Sequence, residues 1–451
     1  MKQVKQRTFL ILFLILLLAG GTIWFCVKYV MHGSQWAAFS ANDHAYTDGL
    51  LSSGQVLDRS GVILYDATTQ SYNEDSTVRR ATLHAVGDEW GNISTSALSL
   101  FRDRLVGFNP FTGTSGDGHK LYLTLDSELN ESAYEALNGR KGVVAVYNYE
   151  TGDILCMVST PTYDPADPPE IEDGDEEYSG VYLNRLLSGL YTPGSTFKIV
   201  TTAAALENLY DIQQRTFTCT GRVEIGGDVI TCPYAHGTMD FEDALACSCN
   251  CVFAQLAVEL GGETIQRYAR DAGLLDEHSV SGITTESGFY EIGNTNELGW
   301  SGIGQYHDLV NPCAMMTLMG TIAADGAAAQ PHLIDKETSM SSLTLIDEEK
   351  PSFTEPVWSA DTYATLRSMM RSNVLLNYGQ DRFGDLAVCA KSGTAEVGEG
   401  KTPHAWFTGF IDDITCPLAF VVIVENGGGG SDVAGSIAAS LLQQAANTDI
   451  E

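Results

Sequence analysis

The chain has 451 residues, which is enough for two or three domains and a large buried core. It carries 25 Lys+Arg against 58 Asp+Glu, so its formal net charge is −33. A surface this acidic repels a phosphate polymer, and the composition therefore argues against nucleic-acid binding. Apolar residues make up 44% of the chain and recur along its length, which excludes disorder for most of it.

An uncharged apolar run lies close to the N-terminus. Residues 8–27 read TFLILFLILLLAGGTIWFCV, and a helix needs about 20 such residues to cross the ~30 Å hydrocarbon core of a membrane. Lys2, Lys5 and Arg7 precede the run, so the positive-inside rule predicts a cytoplasmic N-terminus and an extracytoplasmic remainder. A cleaved secretory signal is the alternative, but no small-x-small cleavage site follows directly and the run is longer than a typical h-region. We therefore expect an uncleaved single-pass anchor over residues 8–30.

The chain downstream of the anchor changes character near residue 142. Before that point, short alternating runs and polar turns predict a small β-rich module. Within it, residues 54–65 read as two strands around a turn, and residues 121–138 read as a strand followed by an amphipathic helix. We expect five divisions: a cytoplasmic head at 1–7, the anchor at 8–30, a membrane-proximal non-catalytic module at 31–120, a bridge at 121–141 and a catalytic domain at 142–451.

The larger region predicts an α+β fold. Two apolar runs separated by Glu-Thr-Gly-Asp predict a hairpin, and an acidic, proline-containing stretch after them predicts a solvated loop rather than a binding site. The expected bounds are strands at 142–149 and 154–159, the loop at 164–177, mostly helix within 181–378, strands at 386–390, 404–411 and 418–425, and a last helix at 431–446 with Ser431 as a candidate N-cap. This order of strands and helices predicts one sheet that contains strands from both ends of the region and is covered by helices.

Ten cysteines are present, and three of them form the cluster Cys247-Ser-Cys249-Asn-Cys251. This C-x-C-x-C pattern lacks the paired C-x2-C spacing of a structural zinc site, so small buried residues are the favoured interpretation and no metal is predicted. Cys219 and Cys232 flank a glycine-rich turn, and they are the pair we expect if a disulfide forms.

The string YTPGSTFK at residues 191–198 is the first that contains candidate catalytic residues. A Pro-Gly pair breaks the chain, and Ser195 is expected to open an apolar helix. Ser195 and Lys198 lie three residues apart, so their side chains share one helix face. A hydroxyl becomes a good nucleophile when a base takes its proton, and a lysine can be that base when desolvation or nearby positive charge lowers its pKa. Alone, S-x-x-K is more often an exposed pair on a helix than a catalytic pair.

Two further strings offer complementary polar groups. Ser-Cys-Asn at 248–250 offers a hydroxyl that can relay a proton and an amide that can hold a peptide group. Lys-Ser-Gly-Thr at 391–394, expected at the end of a strand, offers a point charge and two hydroxyls for a carboxylate, and its glycine lets a ligand approach the strand edge. The tripeptide is uninformative alone, whereas the tetrapeptide is unlikely to occur by chance.

Together, S-x-x-K, S-x-N and K-[ST]-G in this order resemble the serine penicillin-recognising enzymes. The surroundings narrow the resemblance to a class B penicillin-binding protein: His236-Gly before SCN, IGQ at 303–305 followed by VNPCAMM, KSGTAE with HAWFTGF downstream, and GQVLDRSGVIL in the N-terminal module. The resemblance covers nearly the whole chain and implies an antiparallel five-stranded sheet with a large helical subdomain. Ser392 stands where many relatives carry Thr, and the membrane-proximal module is short for the family.

The resemblance implies a peptidoglycan D,D-transpeptidase that cross-links stem peptides. Ser195 is then the nucleophile that attacks the carbonyl between the two terminal D-alanines, Lys198 accepts its proton, and Ser248 relays that proton to the leaving amine. The other implied roles are the backbone N–H groups of Ser195 and Thr394 as oxyanion hole, Lys391, Ser392, Gly393 and Thr394 as the site of the terminal carboxylate, and Asn250 as the group that fixes the donor peptide. β-Lactams are implied to acylate Ser195 as substrate mimics, and no metal or organic cofactor is implied.

Other interpretations of the same motifs stay open. A D,D-carboxypeptidase differs only in using water as acceptor, and a β-lactamase must hydrolyse its acyl-enzyme quickly and has no use for an anchor and a spacer module. A β-lactam sensor needs a cytoplasmic output domain, for which the seven residues before the span are too few, and a silent scaffold of the wall machinery does not need intact motifs. Because no polymerase domain is recognisable, we expect the chain to work beside a polytopic glycan polymerase.

Two remaining features are given structural roles. His404 lies in a predicted strand near the third motif, and we interpret it as a packing residue because the family's chemistry uses no histidine. The four glycines at 427–430 have no following Lys-Ser/Thr, so we expect a flexible turn and not a phosphate loop.

Overall fold

The computed structural model describes residues 2–37, 53–106, 108–109, 114–115, 118–172, 174–398 and 400–447. Residues 38–52 of the expected membrane-proximal module and 448–451 of the expected catalytic domain lie outside the described residues. The strands are β1 (Gln55–Leu57), β2 (Ile63–Asp66), β3 (Ser71–Tyr72), β4 (Phe108–Asn109), β5 (Thr114–Ser115), β6 (His119–Leu123), β7 (Gly142–Asn148), β8 (Ile154–Thr160), β9 (Phe217–Cys219), β10 (Arg222–Ile225), β11 (Asp228–Thr231), β12 (Gly237–Met239), β13 (Ser279–Val280), β14 (Ile283–Thr284), β15 (Ile334–Ser339), β16 (Leu345–Glu348), β17 (Val388–Ala395), β18 (His404–Ile411) and β19 (Leu418–Val424). The α-helices are α1 (Lys2–Ala37), α2 (Ser76–Val86), α3 (Ala97–Leu100), α4 (Arg102–Val106), α5 (Ser127–Leu137), α6 (Arg185–Ser188), α7 (Lys198–Asn208), α8 (Phe241–Ala246), α9 (Asn250–Leu260), α10 (Gly262–Asp271), α11 (Thr295–Ser301), α12 (Pro312–Ala323), α13 (Ala360–Asn373) and α14 (Ala434–Ala445).

Helix α1 has the length and composition of a membrane span. Its segment Val4–Gly33 has 30 residues, and the most apolar window in it has a mean hydropathy of 2.7 and is 0% buried against the rest of the protein. At a rise of about 1.5 Å per residue, this segment is roughly 45 Å long, which exceeds the ~30 Å hydrocarbon core of a bilayer. The expected anchor over residues 8–30 therefore lies within a single continuous helix.

A five-stranded antiparallel sheet in the order β17-β18-β19-β7-β8 forms the centre of the larger region. All residues of β7, β8 and β19 are buried, because helix α12 packs on one face of the sheet and helices α5 and α14 pack on the other. Strands buried on both faces are continuous apolar runs, which makes them recognisable in the sequence. The predicted α+β fold with a five-stranded antiparallel sheet is confirmed.

The string VNPCAMM marks the start of the central helix α12. Asn311 is fully buried, and its Oδ1 accepts hydrogen bonds from the backbone N–H groups of Cys313 and Ala314 at 3.0 and 3.2 Å. Its Nδ2 donates to the carbonyl oxygens of Leu187 and Gly189, both at 3.0 Å. One side chain thus caps the helix and ties it to the segment that leads into the YTPGSTFK string.

A second, six-stranded sheet has the order β16-β15-β6-β1-β2-β3. Strand β6 pairs in parallel with β1 and antiparallel with β15. The ring of His119 in β6 also contacts the carboxylate of Glu337 in β15. This sheet therefore joins strands from both sides of the boundary expected at residue 142.

Three other expectations need correction. The region 181–378, expected to be mostly helical, also contains β9–β16, which have two to six residues each and are too short for a clear period-2 signal. Strand β17 continues to residue 395, so the Lys-Ser-Gly-Thr tetrapeptide lies inside the strand and not at its end. Helix α14 begins at Ala434 with Val433 at the N-cap position and no side-chain cap, so Ser431 does not cap it.

The described residues of the acidic stretch, 164–172 and 174–177, form a loop, but its first residue is not solvated. Asp164 is 7% exposed, and its two carboxylate oxygens accept from Arg79 Nε at 2.7 Å and from Nη2 at 2.5 Å. A bidentate pair of this kind is geometrically specific. It holds the start of the loop against helix α2.

The expected disulfide between Cys219 and Cys232 is absent. Their Sγ atoms lie 3.8 Å apart, whereas a disulfide bond is about 2.05 Å long. The prediction is wrong because the two thiols are not an isolated pair: Cys232 Sγ also lies 3.8 Å from that of Cys249 and 3.5 Å from that of Cys251. All cysteines within the described ranges carry free thiols.

Candidate active site

Ser195 lies in a tight turn directly before helix α7. Residues Gly194–Phe197 form one 3-10 turn, and the backbone N–H of Lys198 donates to the carbonyl oxygen of Ser195. Side chains three residues apart in such a turn lie one above the other, so Ser195 and Lys198 share one side. Ser195 is partly exposed, whereas Lys198 is fully buried. The α-helix itself begins at Lys198 and not, as expected, at Ser195.

Glycines allow two other segments to approach this turn. The N–H of Gly194 donates to the carbonyl oxygen of Gly304 at 2.8 Å, and a Cβ at Gly304, which has φ +73°, would lie 2.1 Å from the carbonyl oxygen of Gly194. On the other side, a Cβ at Gly393 in β17 would lie 2.9 Å from the carbonyl oxygen of Pro193. A side chain at either glycine would displace the turn that carries the hydroxyl.

The amine of Lys198 has three hydrogen-bond acceptors. Its Nζ donates to the carbonyl oxygen of Ser248 at 2.7 Å, to Ser248 Oγ at 3.1 Å and to Asn250 Oδ1 at 2.7 Å. An ammonium has three donors and no lone pair, so these contacts use all of its hydrogens. Loss of one proton leaves a lone pair that can accept the proton of a neighbouring hydroxyl.

Burial and a second cation make that loss of a proton favourable. Desolvation is the largest cause that lowers the pKa of Lys198 far below its usual value, and the charge of Lys391 lowers it further. Both effects penalise the charged form of a lysine. The neutral amine is therefore accessible at a lower pH than it is for an exposed lysine.

The strand β17 brings the second lysine to the same place. Lys391 is fully buried, and its Nζ donates to Ser248 Oγ at 3.1 Å and to the carbonyl oxygen of Ser392 at 2.9 Å. Desolvation lowers the pKa of Lys391 to about 7. Its charge thus responds to pH changes in the physiological range.

The Ser-Cys-Asn string forms a sharp turn between helices α8 and α9. Ser248 has φ +54°, a conformation that is uncommon for a residue with a side chain. The backbone N–H groups of Ser248 and Cys249 donate to helix α8 at the carbonyl oxygens of Leu245 and Ala244, at 3.1 and 2.9 Å. Asn250 then opens α9. The turn aims the Ser248 hydroxyl between the two lysines.

The three strings therefore meet at one site, although they are far apart in the chain. Residues 142–443 of this chain match the sequence model described as the penicillin binding protein transpeptidase domain. The match covers most of the chain. The chain belongs to the penicillin-binding protein transpeptidase family, and it is a class B member.

Similar proteins agree with this assignment. Peptidoglycan D,D-transpeptidase PbpA of Mycolicibacterium smegmatis is 30% identical over 371 residues, which are 77% of this chain and 75% of that protein. Penicillin-binding protein A of Mycobacterium tuberculosis, solved as a ceftriaxone acyl-enzyme complex, matches with a TM-score of 0.75 at 24% identity, over 88% of this chain and 99% of that one. A chain of a peptidoglycan synthase complex that coordinates polymerization and crosslinking matches with a TM-score of 0.61 at 25% identity, over 75% of this chain and 65% of that one.

One contact of this penicillin-binding protein could not be read from its sequence. Ser392 donates its backbone N–H to the phenolic oxygen of Tyr378 at 2.9 Å, and the Ser392 and Tyr378 hydroxyl oxygens lie 3.0 Å apart. Tyr378 ends a π-turn at Val374–Tyr378 that follows helix α13. No motif spacing links it to the strand, so only the fold reveals that it orients Ser392.

The glycines at 427–430 cover the outer end of the third motif. Thr394 is exposed, and its Oγ1 accepts from the backbone N–H of Gly430 at 3.4 Å. A Cβ at Gly430 would lie 2.2 Å from the carbonyl oxygen of Gly393 and 2.5 Å from that of Trp406. The expected flexible turn is therefore closely packed against the strand at this glycine.

Tyr191, the first residue of the YTPGSTFK string, anchors the rim of the site. Its hydroxyl donates to Glu425 Oε1 at 2.9 Å, and Arg185 Nε donates to the same oxygen at 2.7 Å. The ring of His404 packs edge-on to Tyr191 with centroids 5.7 Å apart, and its Nδ1 accepts from the N–H of Asn426 at 3.0 Å. His404 thus has the expected packing role.

Proposed function

We propose that this chain cross-links peptidoglycan through an acyl-enzyme formed on Ser195. As a member of its family it is a peptidoglycan D,D-transpeptidase. The observation that carries the serine mechanism is the buried Lys198 amine, which lies on the same side of the turn as Ser195 and contacts the Ser-Cys-Asn string. A hydroxyl with such a base beside it is an activated nucleophile.

The first step forms the acyl-enzyme. Ser195 Oγ attacks the carbonyl carbon between the two terminal D-alanines of a stem peptide, and neutral Lys198 takes the hydroxyl proton. The oxyanion of the tetrahedral intermediate accepts from the backbone N–H groups of Ser195 and Thr394, and loss of one such donor costs about 3 kcal/mol of transition-state stabilisation. The C–N bond then breaks, and Ser248 relays the proton from Lys198 to the leaving amine.

Strand β17 supplies the binding site for the terminal carboxylate of the donor. Protonated Lys391 contributes the positive charge, and the hydroxyls of Ser392 and Thr394 donate hydrogen bonds. Gly393 leaves the strand edge open to the substrate backbone. Asn250 holds the donor peptide with its amide while its Oδ1 fixes the lysine base.

The second step releases the enzyme and forms the cross-link. An amine from a neighbouring stem peptide attacks the ester carbonyl, passes its proton to Lys198 through Ser248, and expels Ser195 Oγ, which takes the proton back. Water in place of the amine gives a D,D-carboxypeptidase, and rapid hydrolysis of a β-lactam adduct gives a β-lactamase-like enzyme. The three activities share the first step and differ in the acceptor.

β-Lactams imitate the D-alanyl-D-alanine end and acylate Ser195, and a labelling experiment tests the proposal. We expect the full chain in detergent to bind fluorescent penicillin stably. Ser195→Ala removes the label, whereas Ser341→Ala, a control at an exposed serine, keeps it. Release of the label within seconds favours the hydrolase. Absence of label in the wild type contradicts the enzyme and favours a scaffold or sensor.

We further propose that the catalytic domain lies outside the cytoplasm and works beside a polytopic glycan polymerase. The orientation follows from the cations before the apolar helix. A C-terminal alkaline phosphatase fusion is active only if the domain is exported, so an inactive, stable fusion contradicts the orientation. Co-purification in mild detergent tests the partner, and recovery of the chain without any polytopic polymerase contradicts it.

A further inference from the structure

Three cysteines and a histidine converge behind the turn that carries Ser248. One ligand atom each of Cys219, Cys232, His236 and Cys249 lies within 4.8 Å of every other. The Sγ atom of Cys232 is 3.8 Å from those of both Cys219 and Cys249. These are four groups that bind soft and borderline metals, gathered from a stretch of 31 residues (249 − 219 + 1).

The separations fit a metal better than they fit disulfides. Sulfur ligands at about 2.3 Å from a tetrahedral Zn²⁺ lie about 3.8 Å from one another, which is the separation found for two thiol pairs here. A disulfide requires about 2.05 Å. The thiols are therefore already spaced around a common centre.

The histidine has a buried nitrogen without a partner in the described part of the chain, and one thiol has a backbone donor. The Nδ1 atom of His236 is buried and has no hydrogen-bond partner among the described residues, which is costly for a polar atom unless something binds it. The backbone N–H of Gly221 donates to Cys219 Sγ at 3.4 Å, as outer-shell donors do to the ligands of a metal site. The histidine nitrogen and the thiols are thus four potential ligands gathered in one place.

The four residues lie at the ends of short strands and of one helix. Cys219 ends β9, Cys232 follows β11, His236 precedes β12 and Cys249 precedes α9. The strands form two separate two-stranded ribbons, β10-β11 and β12-β9, and most of the residues between 220 and 238 are exposed or half-buried. Three of the four residues also lie in a buried apolar cluster between the ribbons and helix α9, so a metal ion there would cross-link the ribbons to that helix.

We propose that Cys219, Cys232, His236 and Cys249 bind one Zn²⁺ ion in a closed, tetrahedral structural site. Three thiolates and an imidazole select zinc among the common divalent cations, and four protein ligands leave no open position for a substrate. The spacings of 13, 4 and 13 residues (232 − 219, 236 − 232 and 249 − 236) are unlike a C-x2-C pair, which is why the sequence pattern did not indicate a metal.

The ion would act on the active site through two backbone connections. Cys249 lies between Ser248 and Asn250 in the chain, so a bond to its sulfur fixes the turn that aims both. Asn250 Nδ2 also donates to the carbonyl oxygen of Thr231 at 2.9 Å, and Thr231 directly precedes the ligand Cys232. Both ligands are thus positioning residues for the groups that contact Lys198. This consequence rests on the proposed function, whereas metal binding itself does not.

Metal content is the first test. We expect the full chain, purified in detergent without chelators, to contain about one Zn²⁺ per molecule, and Cys219→Ser and His236→Ala to lose most of it. Cys251→Ser and Cys416→Ser are controls near to and far from the site, and both should retain the ion. Less than about 0.2 Zn²⁺ per wild-type chain, disulfides among these cysteines, or loss of the ion in the Cys251 variant overturns the assignment.

Metal exchange avoids variants that fail to fold. Chelation of the wild-type chain should lower its melting temperature and slow its acylation by fluorescent penicillin by at least about tenfold, with recovery on addition of Zn²⁺. Co²⁺ in the same site should give thiolate charge-transfer absorption that His236→Ala changes and Cys416→Ser does not. A zinc-loaded chain that never binds penicillin contradicts the proposed function and leaves the metal site intact. A chain that binds penicillin equally fast with and without zinc refutes the positioning role.

Discussion

Lys198 and Lys391 donate to the same hydroxyl, because the Nζ atom of each lies 3.1 Å from Ser248 Oγ. Two ammonium groups this close in a buried site repel each other, and burial opposes the charge of both. The pKa of Lys391 falls to about 7, and that of Lys198 falls well below its usual value. Ser248 accepts from both amines, so its own proton is free to move to a leaving group.

The pH dependence of acylation follows from these two groups. In the proposed mechanism Lys198 must be neutral to take a proton, so the rate rises as pH passes through its lowered pKa. Lys391 must be charged to bind a carboxylate, so the rate falls as pH rises through about 7. We expect a bell-shaped profile of second-order acylation by a penicillin, measured between about pH 5 and 10, whose two limbs belong to the coupled pair. A rate that rises steadily to the top of this range contradicts the role of Lys391.

Asn250→Asp tests the role of Lys198 as the base, because it places a negative charge beside the amine with little change in side-chain size. A carboxylate in place of the amide oxygen, which lies 2.7 Å from Lys198 Nζ, favours the ammonium and raises the pKa of Lys198. We expect acylation at pH 7 to fall by about 10- to 100-fold and the rising limb to move up by one pH unit or more. Asn377→Asp is the control, since Asn377 also donates to a backbone carbonyl, that of Ala246 at 2.9 Å. If acylation is slower but the rising limb of the pH profile stays where it is, the substitution has damaged only the packing.

Gly304→Ala tests how closely the turn before α7 must be held. The added Cβ would lie 2.1 Å from the carbonyl oxygen of Gly194, so the turn has to move. We expect acylation to fall by about 100-fold, as for a displacement near 1 Å, and the free energy of unfolding to fall by about 1–3 kcal/mol more than in the control. Gly139→Ala is matched, since φ is +75° there with nothing within 4 Å of a Cβ. Equal rates in the two variants would contradict the importance of this contact.

Within residues 142–447, the sequence predicts the strands of the central sheet and misses the shorter, partly exposed ones. Strand β18 begins at His404 and ends at Ile411, as expected, because its residues are almost all apolar and buried. The ribbons β9–β12 have three or four residues each, with polar and apolar residues mixed. Their conformation depends on neighbours that are distant in sequence, which no local pattern reveals.

The same contrast holds for the site. Short strings place Ser195 beside Lys198 and Ser248 beside Asn250, so local spacing alone indicates their chemistry. His236 and Tyr378 lie close to residues that are more distant in the chain. His236 is 13 residues from Cys249, and Tyr378 is 14 residues from Ser392, which it orients. The turns that bring each of these residues to its partner have no sequence signature.

Tyr378→Phe tests whether the contact with Ser392 supports substrate binding. The variant removes the acceptor of the Ser392 N–H and the neighbour of its hydroxyl, and a donor left without a partner costs about 1–3 kcal/mol of stability. We expect thermal unfolding at a lower temperature and a weaker apparent affinity for penicillin, with little change in the pH profile because both lysines keep their contacts. Tyr147→Phe is the control: its hydroxyl is buried without a hydrogen-bond partner in the described part of the chain, so its removal should leave stability unchanged or raise it. If both variants behave alike, Tyr378 only fills space.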